Sequence, residues 1–141
     1  MLDREEGPAG PAGPADDALT ASQVAQIPSA TFPAEVVRGV LVVAVPEEVD
    51  IANADGLAAA LDAAADDGHS RFVADMTRTR FCDSSGVSAL VVAQRHALQE
   101  DSQLVLAVSP VVLRLLTLTG LDGVIPHFAT LEDALRHAST L

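Results

Sequence analysis

Residues 72–99 read FVADMTRTRFCDSSGVSALVVAQRHALQ, and three kinds of local chemistry follow one another within them. Arg71 to Met76 is short and mostly apolar, with Phe and Val at its centre, which predicts a strand. Thr77 to Asp83 is rich in polar and charged side chains without periodicity, which predicts a loop. From about Ser84 to Gln99, Val87, Leu90, Val91, Gln94 and Leu98 recur at helical spacing, and the stretch reads as a helix with that stripe buried. The loop therefore delivers Asp83-Ser84-Ser85-Gly86 to a helix N-terminus.

The same alternation continues in both directions. Upstream, EVVRGVLVVAV from Glu35 is rich in β-branched residues. Arg38-Gly39 is a two-residue hairpin turn, and Val40 to Val45 is a strand that Pro46 ends. IANADGLAAALDAAADDG follows. Leu57 and Leu61 mark a helix there, with Asn53 or Asp50 as its cap and Gly68 as its terminator. Downstream, Leu104 to Val108 is a fully apolar strand. Pro110 opens a helix over VVLRLLTLTG that Gly120 closes. A last strand is expected around Val124 to Phe128. The final helix is expected from Leu131 to Ala138, with Glu132 and Asp133 near its positive end. Strands alternating with helices predict an α/β domain with a largely parallel sheet and crossover connections, edged by one antiparallel hairpin.

Residues 1–30 are different in kind. GPAGPAGPADD repeats Gly, Pro and Ala between acids and has too little apolar surface to offset the entropy of ordering. A disordered acidic tail over 1–30 and one folded domain over 31–141 is the expected organisation. The tail has no hydrophobic segment of a secretion signal, and the apolar runs are shorter than the roughly 20 residues a bilayer requires. A cytoplasmic location is expected.

The chain has 141 residues and a formal net charge of −12, from 20 acidic and 8 basic side chains. Such a surface repels a phosphate backbone and an anionic membrane alike. With no Trp or Tyr and four Phe, it also lacks platforms for stacking bases. Nucleic acid and membrane are excluded as expected partners. A protein partner with a basic face suits the charge, although acidity also serves solubility.

Candidate chemistries fall away in turn. Cys82 is the only cysteine, so an internal disulfide cannot form, and a small core residue is the better reading than a nucleophile. A phosphate-binding loop of the Gly-Lys-Ser/Thr kind is impossible without Lys, and the Gly-x-Ser-x-Gly elbow of hydrolases is missing. His69, His96, His127 and His137 make no pair at metal-ligand spacing on one helix. Asp66-Asp67 and Glu47-Glu48 have no calcium-loop spacing after them. No metal, cofactor or catalytic set is expected. At Asp83–Gly86, two readings remain. Asp83 or Ser84 as an N-cap explains one polar residue. It does not explain three together with Gly86. A phosphate on Ser85 would place about −1.5 to −2 charge beside Asp83, enough to expel a partner docked there.

FCDSSGVSALVVAQRHA (81–97), followed by LVLAVSPVVLRLLTLTGLDGVI (104–125), resembles the STAS domain of anti-sigma factor antagonists. The resemblance covers roughly residues 35–140. It rests on Asp-Ser-Ser-Gly placed between strand and helix, and independently on Ser-Pro-x-Val-x-Arg-x-Leu-x-x-x-Gly-Leu from Ser109 to Leu121. It implies a mixed sheet of four or five strands with helices mainly on one face. It also implies partner switching. The unphosphorylated antagonist binds an anti-sigma factor that is itself a serine kinase, and so frees the sigma factor. The kinase phosphorylates the serine before the motif glycine, Ser85 here, with Ser84 as fallback, and a metal-dependent serine phosphatase reverses this. By the same resemblance Asp83, Ser84, Ser85, Gly86 and Val87 make the docking turn, Asp75 matches an acid or amide on the preceding strand, and Asp50 ends a loop near the docking face. In that loop relatives often have Gly-Glu-Leu-Asp, whereas Glu47 stands here in place of Gly, which bears on partner choice.

The expected protein is thus a non-enzymatic regulator of transcription in a bacterial stress response, a monomer or weak dimer. The alternative is a STAS scaffold subunit of a stress-sensing assembly, without a switch of its own. A nucleotide-binding protein or enzyme has no phosphate loop or basic pocket in its favour.

Overall fold

The computed structural model describes residues 32–139. The tail expected over 1–30 lies outside them. Strand β1 (Ala34–Val37) and β2 (Val40–Ala44) form the opening hairpin. Its turn is the expected Arg38-Gly39, with φ of 52° and 81°, the two left-handed residues that match the natural twist of paired strands. After β2 come β3 (Glu48–Val49), α1 (Ala54–Asp66), β4 (Arg71–Met76), β5 (Phe81–Cys82) and α2 (Ser84–Gln99). The chain continues with β6 (Gln103–Val108), α3 (Pro110–Thr119), a 3₁₀ turn at Leu121–Gly123, β7 (His127–Phe128) and α4 (Leu131–Ser139).

Five strands make one mixed sheet in the order β1-β2-β4-β6-β7, antiparallel only at the hairpin. Successive residues of a strand face opposite sides, and both sides are covered. On one, Val43, Phe72, Ala74, Leu104 and Leu106 pack with Leu57 and Leu61 of α1, Leu90 of α2, and Val112 and Leu116 of α3. Each fully buried Leu there contributes on the order of 2 kcal/mol. On the other, Val42, Val73, Val105 and Ala107 meet Ala134, Leu135 and Ala138 of α4. Three helices on one face and one on the other agree with helices packed mainly on one side. No helix among the described residues is long and apolar enough to cross a membrane.

Helix ends follow the sequence closely. Ser109 caps α3 by accepting from the Val112 amide at 3.2 Å, Pro110 occupies its first turn, and Gly120 ends it at φ 79°. Gly68 leaves α1 at φ 86°.

Three expectations need correcting. Of the expected α2 stripe, Leu90 and Gln94 are buried, but Val87 and Val91 are only half-buried and Leu98 is 57% exposed. The rest of the buried face is Gly86, Ala89, Ala93 and Ala97. α2 lies close against α1 through alanines on both helices, and small side chains decide that contact rather than large ones. Second, the loop 77–83 contains β5, which pairs with β3. Third, the last strand is confined to His127–Phe128; Val124 before it is exposed and Ile125 is buried.

Candidate functional site

Asp83 sits at the N-cap of α2 with extended backbone. One of its carboxylate oxygens accepts from the Ser85 amide at 3.0 Å, the Gly86 amide at 3.3 Å and the Ser85 hydroxyl at 2.5 Å. The first two bonds satisfy amides that a helix start otherwise leaves open. The third ties the one side chain expected to be modified to its neighbour. The Ser85 hydroxyl, followed by the two amides, holds the Asp83 carboxyl below the usual carboxylate range. Asp83 is therefore a cap and the orienting partner of Ser85 at once.

Gly86 is required by packing. A Cβ built on it would lie 2.5 Å from Cys82 Sγ and 2.8 Å from Val49 Cγ1. The first turn of α2 thus rests directly on the β3–β5 pair. Gly86 is buried, Ser85 and Val87 are half-buried, and Ser84 is exposed. Gly86 accordingly shapes the turn from beneath, while the serines and Val87 present its surface.

The small parallel ladder does more. Val49 partners Cys82, so the residues that follow each, Asp50 and Asp83, start neighbouring turns, and the Asp83 amide donates to the Val49 carbonyl at 3.2 Å. Asp50 accepts from the Ala52 amide at 2.9 Å, and its own amide donates to Asn53 Oδ1 at 3.0 Å. Asn53 in turn donates to the Glu48 carbonyl at 2.9 Å. Neither Asp50 nor Asn53 caps α1 through its side chain toward the helix amides; both brace the turn before it. Two acidic turns are thereby held side by side.

Asp75 is placed differently. It follows Ala74, which belongs to the face that packs on α1 to α3, so strand alternation turns it to the opposite face. Its carboxylate accepts from the amide of Thr77 at 3.1 Å and the Thr77 hydroxyl at 2.7 Å. Asp75 fixes the exit of β4 through Thr77.

Buried Thr79 was not singled out by sequence. Its hydroxyl donates to the Pro46 carbonyl at 2.9 Å, and its carbonyl accepts from Ser109 Oγ at 2.7 Å. Arg80 and Phe81 amides donate to the Glu47 carbonyl, and the Arg80 guanidinium pairs with the Glu47 carboxylate at 3.1 Å. A polar Thr between two Arg gives little signal in a sequence. Its role depends on three segments meeting. Cys82 is half-buried, and burial, followed by the charge of Asp83, pushes its thiol up to about 11, as befits a packing residue.

Beside Ser85 runs a groove of about 450 Å³ between α1 and α2, lined by Ile51, Ala54, Ala58, Ser88, Ala89 and Val92, with Asp55 at its rim. Ile51 is 83% exposed. The site combines an oriented hydroxyl, an acidic rim and an apolar floor.

Comparison with known proteins agrees with this architecture. The STAS domain family matches residues 31–134. An anti-sigma factor antagonist from Mycobacterium paratuberculosis is 32% identical, with a TM-score of 0.68 over 78% of this chain and 94% of its own. An anti-sigma-factor antagonist (STAS) domain protein from Planctomyces limnophilus is 21% identical, with a TM-score of 0.69 over 77% and 98%. The Bacillus cell fate determinant SpoIIAA in its phosphorylated form is 25% identical, with a TM-score of 0.58 over 75% and 97%. Among curated proteins, none matches.

Proposed function

The chain belongs to the STAS domain family, and on that footing we propose that it is an anti-sigma factor antagonist switched at Ser85. Unphosphorylated, it binds an anti-sigma factor serine kinase through the Asp83–Val87 turn and the neighbouring Asp50 turn, and the sigma factor is released. Phosphorylation of Ser85 ends that binding, and a serine phosphatase restores it.

The observation that carries this reading is the single Asp83 oxygen shared by the Ser85 hydroxyl and two helix amides. A phosphoryl group on Ser85 Oγ removes the hydrogen that Oγ donates. It also brings a dianion that competes with Asp83 for the same amides and repels it. Asp83 cannot keep its position beside such a group. A modification of one hydroxyl thus alters both the charge and the shape of the turn. The acidic rim suits a partner whose face is basic, consistent with the net charge of −12. Similarity to an antagonist at 32% identity supports the general role. Similarity to SpoIIAA in a phosphorylated form supports the switch.

The test is incubation of the full chain with ATP and the anti-sigma kinases of its own organism, with the phosphate mapped by mass spectrometry. Phosphate is expected on Ser85 and absent from Ser85→Ala. Ser85→Ala should hold the kinase persistently, and Ser85→Asp should bind on the order of 100-fold more weakly, because the new carboxylate repels Asp83 and competes with it for the helix amides, which changes the shape of the docking turn. Normal kinase binding by folded Ser85→Asp would overturn the switch. A particle of megadalton size would instead identify a scaffold subunit.

A further inference from the structure

We propose that Asp66, His96 and Glu100 form a binding site for a first-row divalent cation, with zinc as its best fit. The three residues come from two elements. Asp66 is the last residue of α1, His96 lies in the last turn of α2, and Glu100 caps the end of α2. His96 and Glu100 are four residues apart, so they project from the same helix face. One ligand atom from each of the three lies within 4.8 Å of the others, and His96 Nε2 stands 2.7 Å from Asp66 Oδ1. No sequence spacing pairs His96 with Asp66. The close alanine packing of α1 on α2 brings them together.

A second observation points the same way. Asp62, one turn before Asp66, has a carboxylate oxygen, Oδ1, that is shielded from solvent and has no hydrogen-bond partner. The Asp62 side chain as a whole is half-buried, and burial, opposed by His96 and reinforced by Asp66, raises the pKa of its carboxyl. Asp62 acts electrostatically on both His96 and Asp66. The charged groups acting on His96 are all acidic: Asp62, Asp66 and Glu100. Two helix C-termini, each with partial negative charge, end beside them. The whole arrangement is an attractor for a cation, held on rigid elements.

The donor set decides which cation. One imidazole nitrogen and two carboxylate oxygens suit zinc and its first-row neighbours, whereas calcium and magnesium favour oxygen alone. Entry of the ion replaces the direct His96–Asp66 contact with two coordinate bonds, and water completes the shell. Asp62, one turn earlier on α1, adds negative charge acting on His96 and Asp66. The site lies toward the opposite end of α2 from Ser85, roughly 16 Å along the axis, and does not rest on the proposed switch.

The full chain, stripped with chelator, should be titrated with Zn²⁺ by calorimetry near neutral pH, and with Co²⁺ by visible absorption. One zinc ion per chain is expected, with a rise in melting temperature because the ion staples α1 to α2. His96→Gln and Glu100→Gln should each lose the ion and the rise, with helical circular dichroism unchanged. Asp62→Asn should weaken binding about tenfold. No uptake of zinc would leave only a His96–Asp66 ion pair and overturn the proposal. Uptake that both His96→Gln and Glu100→Gln retain, or calcium bound as tightly as zinc, would overturn it as well.

Discussion

The Ser85 hydroxyl and the Asp83 carboxylate are 2.5 Å apart, so the residue that caps α2 also holds the side chain proposed as the switch. One carboxylate thus serves the cap and the proposed switch at once.

Replacing Asp83 separates the two roles. Asp83→Ala leaves the Ser85 and Gly86 amides without their partner, and the denaturation midpoint should fall. Asp83→Asn caps nearly as well and should keep most of the stability. If Ser85 is the acceptor, both variants should be phosphorylated more slowly, since neither offers a carboxylate to orient the hydroxyl. Urea unfolding and a phosphorylation time course read the two effects independently.

Gly86→Ala should lose about 1–3 kcal/mol, the usual penalty for overpacking. Its methyl group meets Cys82 Sγ and Val49 Cγ1 at under 3 Å. Adding Val49→Ala to it should recover part of the loss, whereas two independent defects would add. A double-mutant cycle in urea measures this directly.

Thr79→Val keeps the shape of the side chain but removes its hydroxyl. The Pro46 carbonyl then loses its donor, and a loss of about 1–3 kcal/mol is expected. The Asp83 turn is not touched, so Ser85 chemistry should be unchanged. A large fall in Ser85 phosphorylation, with the fold intact, would show that the 77–80 loop shapes the site as well as the core.

Acid should weaken the fold through particular carboxylates. Arg38 donates to both Glu132 oxygens at 3.1 Å and lowers the Glu132 pKa, while Ser85 and the helix amides lower that of Asp83. A carboxylate with a depressed folded pKa stabilises above its unfolded value, and that contribution disappears as pH falls through the folded one. Stability should therefore decline below about pH 4. The decline should be shallower in Glu132→Gln and Asp83→Asn than in the parent chain. Denaturant midpoints measured from neutral pH downward provide the comparison.

Most of the fold was legible because it is carried by strong local signals. The Arg38-Gly39 turn, the Ser109-Pro110 helix start and the Gly68 and Gly120 helix stops are each settled by backbone preferences of one or two residues. The helix of Ser84 to Gln99 was legible in extent, but only part of its buried face was. Ala89, Ala93 and Ala97 look unremarkable beside Val91 and Leu98, and only the approach of α1 selects them. The ladder between Glu48-Val49 and Phe81-Cys82 was illegible for a related reason. Two-residue strands have no periodicity, and their pairing depends on β2 and β4 already lying side by side. In the site, Asp83 and Ser85 could be found by motif, and Asp50 by its place in a family pattern. Asp75 was found in the same way, and what the family pattern did not reveal is that its carboxylate accepts from the Thr77 amide and hydroxyl. Thr79 and the meeting of Asp66 with His96 have no sequence signal at all.

The β3–β5 ladder has one more consequence, in the order of folding. Phe81 and Glu48 are separated in the chain by the whole of α1 and β4, and their pairing must await the docking of both. An unfolded or nascent chain carries Asp-Ser-Ser-Gly in full but lacks the surface on which Asp50 and Asp83 stand together. A partner that docks on both turns, as proposed, would read a discontinuous epitope, and so would recognise only molecules whose central crossover has been completed.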